Sequence, residues 1–130
     1  MLFRSRNLFR VFLSGKELWA FGLDGVILRS RDGEKWEVVP LPSEVNKNKN
    51  HLFGGAKIGD ELWIVGQRGT MILGHSSAEN WKAVSLGMVK TLNNVGFGPD
   101  GWGLAVGQRG TIFKTENGGK NWAELKLSQG

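Results

Sequence analysis

VGQRGT occupies Val65–Thr70 and recurs letter for letter at Val106–Thr111, 41 positions later. Self-similarity at a spacing of a few tens of residues marks a repeat architecture, so the rest of the chain is best read on that spacing. A third copy then falls into register. Glu17–Trp36 (ELWAFGLDGVILRSRDGEKW), Glu61–Trp81 (ELWIVGQRGTMILGHSSAENW) and Gly103–Trp122 (GLAVGQRGTIFKTENGGKNW) share four landmarks. These are Gly15, Gly59 and Gly101; Gly22, Gly66 and Gly107; Gly25, Gly69 and Gly110; and Trp36, Trp81 and Trp122.

Between the landmarks the runs are short, β-branched or aromatic, and bounded by Gly, Asn, Asp and Ser, which is strand and hairpin chemistry. In the first unit LFRVFL, LWAFG, VILRS and WEVVPL read as four strands, from near Leu8; the last strand of the chain is expected to end near Leu127. The link Gly66-Gln67-Arg68-Gly69 suits a tight hairpin, with Gln-Arg as a two-residue loop between tolerant glycines. Units of about 41 to 45 residues have the size of a four-stranded propeller blade. The expected fold is all-β: one propeller-type domain over residues 1–130, with blades at about 1–43, 44–88 and 89–130. Trp36, Trp81 and Trp122 are expected to anchor the packing between blades. Trp19, Trp63 and Trp102 precede their glycines by three, three and five residues, so all point to one side of the sheet.

Composition narrows the function classes. A chain of 130 residues with 40% apolar content can fold around a core, and its runs are too short for a membrane helix. Basic and apolar residues interleave at the N-terminus, unlike a signal peptide. With no cysteine, there is no disulfide framework and no thiolate chemistry. These features point to a cytoplasmic setting. A net charge of +5 and a pI near 9.8 suit an anionic partner.

KTENGGKNW (Lys114–Trp122) resembles the Asp-box, Ser/Thr-x-Asp/Asn-x-Gly-x-x-Trp, with Thr115, Asn117, Gly119 and Trp122 in the pattern positions. SRDGEKW (Ser30–Trp36) is one residue short of it, and GHSSAENW (Gly74–Trp81) keeps only the Trp. Together with GWGLAVGQRGTIFKT before it, the third unit resembles a blade of the Ycf48-like family, known from photosystem II assembly factors, and of the wider BNR/Asp-box propellers. The resemblance implies blades whose Asp-box is a structural turn. It spans sialidases, lectin-like proteins, sortilin-type receptors and assembly factors, so function must come from the residues. Sialidases use a tyrosine nucleophile, and this chain has no tyrosine. His51 and His75 lie in unrelated positions, and Gly66-x-x-Gly69 lacks the Gly-Lys-Ser/Thr ending and following helix of a phosphate loop. No catalysis, cofactor or metal is expected.

Closed propellers need roughly four to eight blades. Three blades leave two end faces uncovered; a two-fold homodimer closing a six-bladed ring is the expected solution, with a fragment of a longer propeller or another stoichiometry as the alternatives. Turns between second and third strands share one face with the links between blades. That face collects Arg4, Arg6, Lys47, Lys49, Arg68, Lys90 and Arg109 against Asp24 and Glu44, whereas the opposite face is acidic. Gln67, Arg68, Gln108 and Arg109 on equivalent turns, with Lys47 and Lys49 of the long link Pro40–His51, are the candidate ligand-binding residues. Guanidinium groups on rigid turns suit carboxylates. The link itself is expected to be a mobile basic loop. The expected function is a non-catalytic binding or assembly scaffold for an acidic peptide or protein. A glycan-binding lectin with pockets between blades is the alternative, and nucleic acid fits less well for want of exposed stacking aromatics.

Overall fold

A computed structural model describes residues 7–126. Its strands are β1 (Leu8–Ser14), β2 (Glu17–Gly22), β3 (Ile27–Ser30), β4 (Trp36–Val38), β5 (Leu52–Ile58), β6 (Glu61–Gly66), β7 (Met71–His75), β8 (Lys82–Ala83), β9 (Leu92–Phe97), β10 (Gly103–Gly107), β11 (Ile112–Thr115) and β12 (Ala123–Glu124). They pair antiparallel, each with its sequence neighbour, into three separate four-stranded sheets. The all-β reading and its three four-stranded units therefore hold, and the sheets are called blades 1, 2 and 3. The expected end of the last strand near Leu127 lies outside the described residues.

The inner strands β1, β5 and β9 pack side by side. Each carries an irregularity in register near its start, at Phe9, Phe53 and Asn93. Such bulges bend a strand and increase its local twist. The landmark glycines explain why they recur. A Cβ on Gly22, Gly66 or Gly107 would be driven into the carbonyl oxygen of Asn7, His51 or Thr91, respectively. Beside each contact a backbone bond is made: Leu23 N–H to Asn7 O at 2.8 Å, Gln67 N–H to His51 O at 2.9 Å and Gln108 N–H to Thr91 O at 3.0 Å. Gly66 is extended at φ −170° and ψ −148°, so close approach and not a left-handed backbone demands glycine there.

The core lies between blades. Trp19, Phe21 and Ile27 of blade 1 pack against Leu52, Leu62, Ile64, Ile72 and Trp81 of blade 2. Trp63, Val65 and Met71 of blade 2 pack against Leu92, Val95, Ala105 and Phe113 of blade 3. Alternate residues of β6 thus serve opposite neighbours, and Leu62 through Val65 are all buried. The expected anchoring is seen at both junctions: Trp19 meets Trp81 edge-on at 6.4 Å, and Trp63 meets Trp122 at 5.5 Å. Among the described residues no further blade packs on Trp36 or Trp102, and Trp102 is 44% exposed.

The turns before β4 and β12 share one bonding scheme despite their different lengths. Ser30 Oγ accepts from Gly33 N–H at 2.8 Å, and Thr115 Oγ1 accepts from Gly119 N–H at 2.9 Å. Asp32 Oδ1 accepts from Glu34 and Lys35 N–H, and Asn117 Oδ1 from Asn121 N–H. The backbone bonds from Lys35 and Glu34 hold the Asp32 carboxyl below the usual carboxylate range, assisted by the Ser30 hydroxyl. In blade 2 the Trp81 ring lies where a side chain on Gly74 would sit, and His75 Nδ1 accepts from Ser77 N–H instead.

Two outcomes follow from these contacts. Gly66→Ala loses about 2–3 kcal/mol of stability in urea unfolding, while Gly96→Ala, where a Cβ meets nothing within 4 Å, changes it little. Because folding lowers the Asp32 pKa, its contribution is complete above the ordinary Asp value near about pH 4 and is lost as pH falls through the folded value. Asp32→Asn therefore flattens the pH dependence of unfolding below about pH 4, and an unchanged slope would contradict the bonding scheme.

Candidate functional site

The second-to-third-strand turns are one structure built three times. Thr70 N–H bonds to Gln67 O at 3.1 Å, with Arg68 at φ 60° and Gly69 at φ 73° between them. Thr111 and Gln108 bracket Arg109 at φ 56° and Gly110 at φ 72°, and Val26 and Leu23 bracket Asp24 at φ 57° and Gly25 at φ 77°. Positive φ at both central residues is the mark of a type I′ turn, which suits right-twisted hairpins. The central pair is thus Arg-Gly, one residue later than the Gln-Arg loop expected from the bracketing glycines. Gly66 and Gly107 belong to the ends of their strands, while Gly69 and Gly110 lie inside the turns.

This register separates the roles of Gln and Arg. Gln67 Oε1 accepts from His51 N–H at 3.1 Å, and Gln108 Oε1 accepts from Thr91 N–H at 3.1 Å. Both glutamines tie a turn to the residue just before the inner strand of the same blade. Arg68 and Arg109 are exposed, in a backbone region that Asn, Asp and Gly enter far more readily than Arg. Among the described residues, the ion pairs involve Arg29, Arg31, Lys114 and His51 and none of Lys47, Lys49, Arg68, Lys90 or Arg109.

The link between blades 1 and 2 closes over the first two turns. Asn46 and Asn50 bond reciprocally, Asn46 Nδ2–H to Asn50 O and Asn50 N–H to Asn46 Oδ1, each at 3.0 Å. Asn50 Nδ2–H reaches Thr70 Oγ1 at 2.9 Å, and Asp24 N–H donates to His51 Nδ1 at 2.9 Å. Val45 is buried at the junction of the two blades. The link expected to be mobile is therefore anchored at both ends and in its middle. Lys47 and Lys49 emerge from it beside Asp24, at the rim of a groove of about 430 Å³. Val26, Val38, Pro40 and Leu41 supply apolar walls of that groove.

The strand directions place the three turns and the link at one end of the sheets, so Arg68, Arg109, Lys47, Lys49 and Lys90 share a face. Asp24 stands among them and carries the turn position that Arg68 and Arg109 hold in the other blades. Arg4 and Arg6, assigned to this face from the sequence, lie outside the described residues. His51 belongs to this end of blade 2, and His75 lies at the opposite end of β7. The sequence does not reveal the structural use of the Gln67 and Gln108 amides, or the bonds by which Asn46, Asn50 and His51 secure the link.

Neither a protein-family model nor a curated protein matches the sequence. Solved structures do match the fold. YCF48 bound to D1 peptide superposes with a TM-score of 0.74 at 21% identity, over 91% of this chain and 39% of that one. YCF48 from Cyanidioschyzon merolae gives a TM-score of 0.71 at 29% identity, over 90% of this chain and 39% of that one. The chain thus spans about two fifths of the length of these propellers. In architecture it is a YCF48-like β-propeller unit of three blades.

Proposed function

We propose that the chain is a non-catalytic binding or assembly scaffold, which self-associates and presents its basic face to an acidic peptide or protein segment. The observation that carries this reading is the pair Arg68 and Arg109. Each occupies a left-handed turn position where Asn or Asp would be less strained, and neither has an ion-pair partner among the described residues. A guanidinium carried on a turn of fixed backbone offers a planar fork that takes a carboxylate through two parallel hydrogen bonds. Lys47 and Lys49 extend the charge to the apolar groove beside blade 1. A client with carboxylates spaced by apolar side chains suits both parts. The likeness to a YCF48 structure bound to a D1 peptide supports a peptide or protein partner. The lectin alternative places sugars between blades, positions that Trp19 with Trp81 and Trp63 with Trp122 fill here.

The test is fluorescence anisotropy with a labelled peptide of alternating Glu and Leu. Arg68→Glu with Arg109→Glu is expected to weaken binding at least about tenfold and to reduce its salt dependence. Unchanged affinity would remove the turns from the site. Arg68→Asn with Arg109→Asn gives a chain more stable by about 0.5–1 kcal/mol per turn that binds less well. Gln67→Ala separates structure from recognition: it costs about 1 kcal/mol of stability and leaves peptide affinity unchanged.

A further inference from the structure

Each internal junction uses the same two kinds of tryptophan. One comes from the second strand of a blade, Trp19 or Trp63, and meets edge-on the tryptophan that precedes or opens the fourth strand of the next blade, Trp81 or Trp122. The interplanar angles, 68° and 66°, match as closely as the partners do. Among the described residues, one tryptophan of each kind is left without a facing blade. Trp36 lies with Val11, Ala20 and Leu28 on the face of blade 1 that points away from blade 2, in an open groove of about 420 Å³. Trp102 lies with Leu104 and Val106 on the face of blade 3 that points away from blade 2.

We propose that the Trp102 face of blade 3 docks on the Trp36 face of blade 1 in a second copy of this chain, Trp102 taking the role that Trp19 and Trp63 play inside the chain. This rests on the self-association reading and gives it a surface and a polarity. The internal junctions define which face meets which: the side bearing Trp19 or Trp63 always meets the side bearing Trp81 or Trp122. The two open faces are one of each type, so each complements the other and neither complements itself. Leu104 stands at the position of Trp19 and Trp63, and Trp102, immediately before β10, lines the same groove as Leu104 and Val106. Val11 is 55% exposed and Val106 is 38% exposed, as expected of junction residues that lack their neighbour. Lys114, the cross-strand neighbour of Leu104 on the Trp102 face, is already paired with Glu116 at 3.4 Å, whereas a second copy brings the matching apolar face. Two chains joined head to tail at both ends, about a two-fold axis, make two identical junctions and leave no open face.

Light scattering on a size-exclusion column, over a range of concentrations, tests this with Val11→Glu and Val106→Glu, each disabling one face. The unsubstituted chain is expected at about twice 14.3 kDa, with a mass insensitive to salt. Each variant alone should dissociate, its affinity weaker by on the order of a hundredfold, because a carboxylate would be buried without a partner. A variant that lost its native circular dichroism would be replaced by Trp102→Arg, at a position already 44% exposed. A single-chain mass for the unsubstituted protein at every concentration would overturn the proposal together with self-association. A two-chain mass that only one variant disrupts would overturn the proposed faces and leave self-association standing. A mass growing beyond two chains would overturn the closed pair. None of these outcomes bears on salt-sensitive peptide binding, so the basic face is judged separately.

Discussion

The blades depend on one backbone contact repeated three times. The glycine at the end of the second strand lies against the carbonyl of the residue before the inner strand: Gly22 on Asn7, Gly66 on His51, Gly107 on Thr91. With no side chain in the way, the next residue donates its N–H to that same carbonyl, at 2.8 to 3.0 Å. The contact fixes where each inner strand begins, and the bulge follows close behind. It also fixes the register of the type I′ turn, and so which residue stands at the left-handed position. The left-handed backbone position of Arg68 and Arg109 is thus tied to Gly66 and Gly107 two residues before them.

Packing between blades is the second constraint, and it works by alternation. Because strand side chains face opposite ways, blade 2 can present Leu62 and Ile64 to blade 1 and Trp63 and Val65 to blade 3. Blade 1 and blade 3 each use one face and leave the other apolar. The same repetition that makes the internal junctions alike makes the two end faces unlike. The turns and the link that carry Arg68, Arg109, Lys47 and Lys49 lie across the strand ends, away from the two end faces, so the proposed self-association and the proposed peptide binding use different surfaces of the unit.

Much of this is legible in the sequence because a repeat reports its own constraints. The four landmarks recur since each meets the same neighbour in every blade, and the strands between them have the composition that strands need. What the sequence hides is contact between the repeat and what does not repeat. Gln67 reads as an exposed polar partner of Arg68, yet its oxygen is committed to His51, and blade 1 has Leu23 at that position. The link Pro40–His51 reads as loose because Asn, Lys and Pro dominate it, while Val45 and the Asn46–Asn50 pair anchor it through contacts that no periodicity announces. The glycines around Gln-Arg suggest a symmetric loop; backbone geometry breaks the symmetry, leaving Gly66 extended and placing Gly69 inside the turn. Ser30 and Asp32 show the converse, a turn short by one residue that keeps the bonds of the full pattern.

The central claim is that recognition takes place at the Arg-bearing turns and the adjoining link. A titration of the isotope-labelled chain with the Glu-Leu peptide, followed by amide proton and nitrogen chemical shifts, examines it residue by residue. The account predicts that the moving signals cluster at Arg68, Gly69, Arg109, Gly110, Lys47 and Lys49. Shifts confined to the opposite end of the blades, at Asp32–Lys35 and Asn117–Asn121, would contradict it.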